Sequence, residues 1–240
     1  MIFDLDGTPP DIGFPDTALA ETDPNGLLAI GGDLSRARVL GAYRRGIFPW
    51  YSPGQPILWW SPAPRMVLFP DEFHCSRSLR RSLRHRGYQV SINLAFEDVI
   101  RACAEPRRPH EGTWLLPEMI ESYVALNLAG HAHSIEVWLD NDLVGGLYGI
   151  AIGQIFFGES MFSRRTDASK VALSRLTEIA LGHPFQLIDC QIHTEHLASL
   201  GAREVGRETF QQALDRAVAL PAAELGRQPA RPAADIRWAA

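Results

Sequence analysis

Lysine is almost missing from this 240-residue chain: of its 23 basic residues, only Lys170 is a lysine and the rest are arginine. Bases of either kind are wholly missing from residues 1–35 and 109–163. Cysteine is scarce. Cys75, Cys103 and Cys190 are an odd number and widely spaced. That excludes a disulfide framework and fits reduced thiols in a cytoplasm. No basic n-region follows Met1, so no secretory leader is expected. Long apolar runs are also missing. Residues 46–64 are uncharged but hold five prolines, and 143–158 are too short and hold five glycines, so neither reads as a membrane span. There is no P-loop, G-x-S-x-G, H-E-x-x-H or G-x-G-x-x-G, which removes the signatures of several large enzyme classes.

What is there is an ordinary globular composition, 46% hydrophobic and 21% charged, long enough for one large domain or two small ones. The net charge of −5 argues against a nucleic-acid partner, because affinity for phosphate comes from clustered Lys and Arg. Split where the sign changes, the chain reads differently. Residues 1–35 carry −7, 36–108 carry +8, 109–163 carry −7 and 164–240 carry +1. Two readings follow: folding mixes the blocks into one neutral surface, or the basic block sets up a local field. Arginine-rich usage fits a GC-rich genome. It also supplies planar, forked donors suited to phosphate.

Residues 1–25 are acidic, rich in Pro and Gly, and read as irregular. Ser35–Arg45 reads as a short helix capped by Asp33 or Ser35. Proline and aromatic residues break the following segment into short strands, Ile57–Trp60 and Met66–Phe69. A basic helix is expected over Ser76–Arg86, with Leu79 and Leu83 on its apolar side. Tyr88–Leu94 reads as a strand, and Ala95–Ala104 and Leu116–Leu128 as helices. His133–Asp140 and Leu143–Ile150 flank Asn141 as a hairpin, and Gln154–Phe162 makes a further strand. Asp167–Gly182 is a helix leading to a buried strand, Phe185–Cys190. Helices are expected at Thr194–Leu200 and Glu208–Ala219. The organisation predicted is α+β: a small N-terminal domain over 1–62, a larger domain over 63–222, and a flexible Ala/Pro-rich tail over 223–240.

Several motifs bear on chemistry. MIFDLDGT matches the nucleophile motif of haloacid-dehalogenase-type phosphatases, but PPDIGFPD after it cannot start the required helix and no later Asp-Asp pair follows. Cys190, His193 and His196 form C-x-x-H-x-x-H, which is one ligand short of a structural zinc site. The stronger signals are polar groups inside apolar strands. Glu159 lies among Phe156, Phe157, Met161 and Phe162, where an unpartnered carboxylate is costly to bury. Asp189 and Gln191 alternate with Cys190 and so share a strand face. These groups either end strands and cap loops or form a site. Trp50, between turn prolines, is less easily buried than Trp59 or Trp60 and is suited to stacking on a base.

The stretches PNGLLAIGGDLS (24–35), YRRGIFPWYSPGQPILWWSPAPRMVLFP (43–70), EGTWL (111–115), GHAHSIEVW (130–138), LVGGLYG (143–149), FFGESMFSR (156–164), ASKVAL (168–173), LIDCQ (187–191) and HLASLGA (196–202) resemble leucyl/phenylalanyl-tRNA–protein transferases in family order. The resemblance implies a GNAT-like acyltransferase domain behind a small N-terminal domain. The family transfers Leu, Phe or sometimes Met from aminoacyl-tRNA to the N-terminal Arg or Lys of a protein, marking it for N-end-rule degradation. No cofactor or metal is implied, since the aminoacyl ester is already activated. The segment SRRTDASKVAL lacks the Gly-rich pyrophosphate loop of acetyl-CoA users, so an acetyltransferase is disfavoured. A catalytically idle RNA-binding or N-terminal-Arg-binding module is the other alternative.

By resemblance, Asp189, Gln191 and Glu159 match catalytic positions: Asp189 would accept or relay a proton, Gln191 would orient the amine, and Glu159 would hold an ammonium or a ribose hydroxyl. Trp50 and Trp114 would grip the terminal adenosine. Leu147, Phe156 and Ile188 would line the side-chain pocket, with Gly158, Ser160 and Thr194 beside them. Leu147 stands where other members often have Met, and Thr194 where some have Asn. Arg77, Arg80, Arg81 and Arg84 would contact the tRNA backbone. A cytoplasmic monomer without membrane contact is expected.

Overall fold

The structure, a computed structural model, describes residues 2–10, 13–106, 115–182, 185–222 and 225–237. Its first part is a four-stranded sheet built from β1 (Phe3–Asp4), β2 (Leu27–Ile30), β3 (Phe48–Pro49) and β4 (Leu58–Trp60), in the order β1-β2-β4-β3. The helix α1 (Arg36–Tyr43) sits between β2 and β3. Its N-cap Ser35 accepts the Arg38 N–H, as the polar residue before an apolar run predicts. Trp59 is fully buried, and its indole N–H donates to the Gly31 carbonyl at 2.9 Å.

Ser61–Pro64 leads into β5 (Arg65–Leu68), the first strand of the second sheet. Along the chain follow α2 (Arg77–His85), β6 (Gln89–Ile92), α3 (Phe96–Ala104), α4 (Pro117–Leu128), β7 (Ala132–Leu139), β8 (Asp142–Ile152) and β9 (Ile155–Ser163). Then come α5 (Ala168–Gly182), β10 (Leu187–Gln191), the short α6 (Glu195–Ala198), β11 (Arg203–Val205), α7 (Arg207–Val218) and β12 (Gln228–Pro232). Among the described residues this sheet has eight strands, in the order β11-β5-β10-β9-β8-β7-β6-β12. The fold is thus mixed: among the described residues the large sheet is antiparallel except for one parallel pair, β9 and β10, joined through α5, and in the small sheet β1 runs parallel to β2.

Strand alternation sorts the apolar residues into two cores. Ile155, Phe157 and Leu187 pack with α3, α4, α7 and the first sheet. Phe156 and Ile188, one residue along each strand, pack with α2 and α5. The large sheet is therefore covered on both faces, which is why β8 and β9 read as near-continuous apolar runs.

The C-terminal segment departs from the expected frayed tail. Gln228–Pro232 pairs antiparallel with β6, the Ala233 N–H donates to the Tyr88 carbonyl at 2.8 Å, and Ala233 and Ile236 are buried. Alanine and proline gave no strand signal. The segment is ordered by an open sheet edge and by buried contacts far away in sequence.

Candidate active site

Two irregularities in the ladder build the site. β9 and β10 pair only through Leu187↔Ile155, Ile188↔Phe156 and Asp189↔Phe157, yet β9 runs on to Ser163. Beyond Phe157 the two strands part, and a cavity of about 760 Å³ opens in the gap. A bulge lies on each side of it. Opposite β8, Tyr148 pairs with Ser160 and Gly149 with Gly158, which leaves Glu159 as the extra residue. Opposite β5, Asp189 pairs with Val67 and Gln191 with Met66, which leaves Cys190 as the extra residue. Bulges re-aim side chains out of the regular alternation. The first depends on Gly149, where a Cβ would stand 2.1 Å from the Phe157 carbonyl oxygen.

Glu159 occupies the gap. Its Oε1 accepts from Tyr43 Oη at 2.7 Å and from Gln191 Nε2 at 2.9 Å, and its Oε2 accepts from Tyr123 Oη at 2.9 Å. The two tyrosine oxygens are themselves 2.6 Å apart. Three oxygen–oxygen contacts close a ring, and an ionised Glu159 leaves only two hydroxyl protons to fill them. A protonated Glu159 supplies the third. Burial pushes Glu159 up to about 7, against hydrogen bonds from Tyr43, Tyr123 and Gln191 that pull it down. Burial and the neighbouring Glu159 carboxylate likewise push the Tyr43, Tyr123 and Tyr148 hydroxyls well above the usual range. Among the described residues Tyr148 Oη is buried with no hydrogen-bond partner, and its residue lines the cavity.

Asp189 is fully buried and is not part of the cavity wall. Arg65, equally buried, grips both its oxygens, Nε to Oδ1 at 2.8 Å and Nη2 to Oδ2 at 2.7 Å. The Arg65 guanidinium is stacked between the rings of Phe48 and Phe210, at 4.9 and 4.8 Å. Oδ1 of Asp189 also accepts the Gln191 N–H at 2.9 Å, and Gln191 adopts the left-handed φ of 63°. Asp189 thus fixes the backbone from which Gln191 reaches Glu159. The proton-acceptor role expected of Asp189 does not suit this geometry, because both of its oxygens are already held by a guanidinium.

The cavity wall contains Leu147, Phe156, Gly158, Glu159, Ser160, Ile188, Gln191 and Thr194, all expected as site residues. Thr194 also caps α6, its hydroxyl accepting the Leu197 N–H at 3.2 Å. Leu173 and Leu176 of α5 close the apolar end. Trp50 is exposed and outside the cavity wall, with its carbonyl accepting from Trp60 Nε1 at 2.6 Å. Trp114 lies outside the described residues. Arg77, Arg80, Arg81 and Arg84 stand exposed on α2 around the buried Leu79, Ser82 and Leu83, and no ion pair is formed by any of the four among the described residues.

Sequence reasoning missed Tyr43, Tyr123, Tyr148 and Arg65 as site residues. Their partners lie far along the chain, Tyr43 being 116 residues from Glu159 and Arg65 being 124 from Asp189. The only local signal was an arginine opening an apolar strand, Arg65-Met66-Val67-Leu68, where an uncompensated charge is costly.

Comparison with known proteins places this arrangement. Residues 67–215 match the family described as leucyl/phenylalanyl-tRNA protein transferase, and residues 32–63 match that family's N-terminal domain. The chain is 55% identical over 212 residues to the leucyl/phenylalanyl-tRNA–protein transferase of Chromobacterium violaceum, covering 88% of this chain and 91% of that one. It is 56% identical over 224 residues to the Chromohalobacter salexigens protein of the same name (93% and 87%). With that of Aromatoleum aromaticum it shares 59% over 197 residues (82% and 83%).

Proposed function

The chain belongs to the leucyl/phenylalanyl-tRNA–protein transferase family, and on that footing we propose that it moves Leu, Phe or Met from aminoacyl-tRNA to the N-terminal Arg or Lys of a protein. It is an aminoacyltransferase, and the product enters N-end-rule degradation. We read residues 63–222 as a GNAT-like acyltransferase domain behind a small domain over 1–62. The parallel β9–α5–β10 unit and the gap between its strands support that reading.

The observation that carries the mechanism is Glu159, a carboxylate near pKa 7 on the wall of a largely apolar cavity. An acceptor α-amine has an ordinary pKa of about 7.7–8.0. A base poised near neutrality is matched to take its proton. The amine nitrogen attacks the ester carbonyl, the N–C bond forms and the bond to the ribose 3′-oxygen breaks. Glu159 takes the proton the nitrogen sheds and returns it to the departing 3′-oxygen. Gln191 orients the amine. Asp189 and Arg65 hold Gln191 in place. Leu147, Phe156 and Ile188 receive the transferred side chain, with Gly158, Ser160 and Thr194 at its rim. Trp50 and Trp114 stack on the terminal adenosine, a contact worth about 1–3 kcal/mol per base. Arg77, Arg80, Arg81 and Arg84 meet the backbone of the acceptor stem without reading its sequence. The protein works as a cytoplasmic monomer.

One assay tests the reading: purified protein, labelled Leu-tRNA and a peptide beginning with Arg. Label is expected on the peptide's N-terminus. Label that stays on the tRNA, or that reaches a peptide beginning with Ala equally well, overturns it.

A further inference from the structure

A second cavity, of about 680 Å³, lies between α2 and the C-terminal turn. We propose that it binds a backbone phosphate of the donor RNA, with Arg237 completing a cradle begun by Arg80 and Arg84. The proposal rests on the aminoacyl-tRNA reading above and extends the RNA contact from one helix to the C-terminal end of the fold.

Three segments meet there. Asp71, Phe73, His74 and Cys75 come from the loop after β5, Arg80, Leu83 and Arg84 from α2, and Ile236 and Arg237 from the C-terminal turn. Three arginines thus face one carboxylate, that of Asp71. None of the three forms an ion pair among the described residues. The Arg80 charge beside Cys75 opposes the rise that burial gives its thiol. Arg237 donates from Nη1 to the carbonyls of Ala234 and Ile236, at 2.9 and 3.4 Å. A guanidinium has five N–H donors, so each retains donors for a ligand. Phe73, Leu83 and Ile236 give the cavity an apolar floor, which strengthens any charge-assisted contact above it.

Arg237 is held there by construction. Glu178 of α5 accepts from three groups: the Arg175 guanidinium, the Arg231 guanidinium and the Arg237 backbone N–H at 2.7 Å. This anchor takes the backbone of the C-terminal turn and leaves the Arg237 side chain to the cavity.

The position relative to the active site fits a single long ligand. His196 and Leu197 line the first cavity. Three residues beyond Leu197, the Leu200 carbonyl accepts the N–H of His74, which lines the second. Gly201 packs so closely on this loop that a Cβ there would stand 2.2 Å from the Glu72 carbonyl oxygen. One short, tightly packed segment therefore joins the two rims. A nucleic acid whose 3′ end enters the first cavity would run its backbone across this segment toward the second.

The test is a salt titration of Leu-tRNA binding to the full chain. Each phosphate contact contributes roughly 0.7–0.9 to the slope of log K against log salt concentration. R237Q is expected to lower that slope by about one and to weaken binding about fivefold at physiological salt. R237K is expected to keep the slope, because it keeps the charge. A slope in R237Q equal to that of the unsubstituted chain overturns the proposal, as does loss of slope in R237K. Titration with inorganic phosphate separates the sources. Phosphate binding that R237Q abolishes while the tRNA slope stays unchanged makes this a site for free phosphate and also overturns it. Transfer of Leu to the Arg-peptide, measured on the same preparation, separates the two failures. Without transfer the functional reading falls. With transfer and an unchanged slope, only the cradle falls.

Discussion

Arg65 and Asp189, 124 residues apart in sequence, form a buried two-point ion pair at 2.8 and 2.7 Å. Neither residue lines the cavity. It sets the Gln191 backbone, and Gln191 bridges to Glu159 across the gap between β9 and β10.

Breaking that pair leaves a buried guanidinium unmatched. D189N is expected to destabilise the fold by about 3–5 kcal/mol, the usual cost of removing one partner of a buried pair. Urea unfolding measures it. The double variant R65M/D189L removes both charges and is expected to be the more stable of the two. A double variant that unfolds before D189N would refute the ion-pair account.

On the proposed mechanism, Glu159 makes the reaction pH-dependent. Its folded pKa, about 7, stands above the ordinary carboxyl value of 4.5. Its contribution to stability is therefore fully present below about pH 4.5 and is lost as pH rises through 7. Melting temperatures across that window are expected to fall for the unsubstituted chain relative to E159Q. The rate has the opposite sign, because the base acts ionised. kcat/KM is expected to rise with pH through about 7 and on through the acceptor amine at about 7.7–8.0, and E159Q to keep only the amine's limb, at a rate lower by about 10²–10⁴.

Tyr43 holds the Glu159 pKa down by donating to it. In Y43F that donor is gone and burial acts with less opposition. The acid limb of kcat/KM is expected to move to higher pH. A limb that stays in place or moves lower would show that Tyr43 does not set this pKa.

On the proposed reading, the apolar end of the cavity receives the transferred side chain. L147F fills space between Phe156 and Ile188. Transfer from Phe-tRNA is expected to fall against transfer from Leu-tRNA by about tenfold, the scale of one side-chain fit in an apolar pocket. An unchanged Phe-to-Leu ratio of kcat/KM would remove Leu147 from the pocket.

Much of the fold was legible because local physics dictates it. Ser76 before an Arg/Leu pattern predicts α2, and the structure has it at Arg77–His85. Asn141 between apolar runs predicts the β7–β8 hairpin, and Asn141 does adopt φ 67°. Local signals gave only part of the site. A carboxylate among phenylalanines marked Glu159, and two polar residues at the end of a buried strand marked Asp189 and Gln191. Neither bulge was legible, because a bulge is a mismatch between two strands and no single strand encodes it.

The sequence alone determined which polar groups sit inside apolar strands and so must find partners: Glu159, Asp189 and Gln191. It also determined that arginine is concentrated before residue 109. Tertiary structure decided which partners they found. It gave Asp189 to Arg65, away from the cavity wall, and left Glu159 on that wall. It also drew an Ala/Pro-rich segment with no strand pattern into an edge strand and brought Arg237 beside Arg80 and Arg84. The physical reason is the same in each case. Desolvation of a charge is a local property of the chain, whereas its compensation is a contact between segments brought together only by the packed sheet.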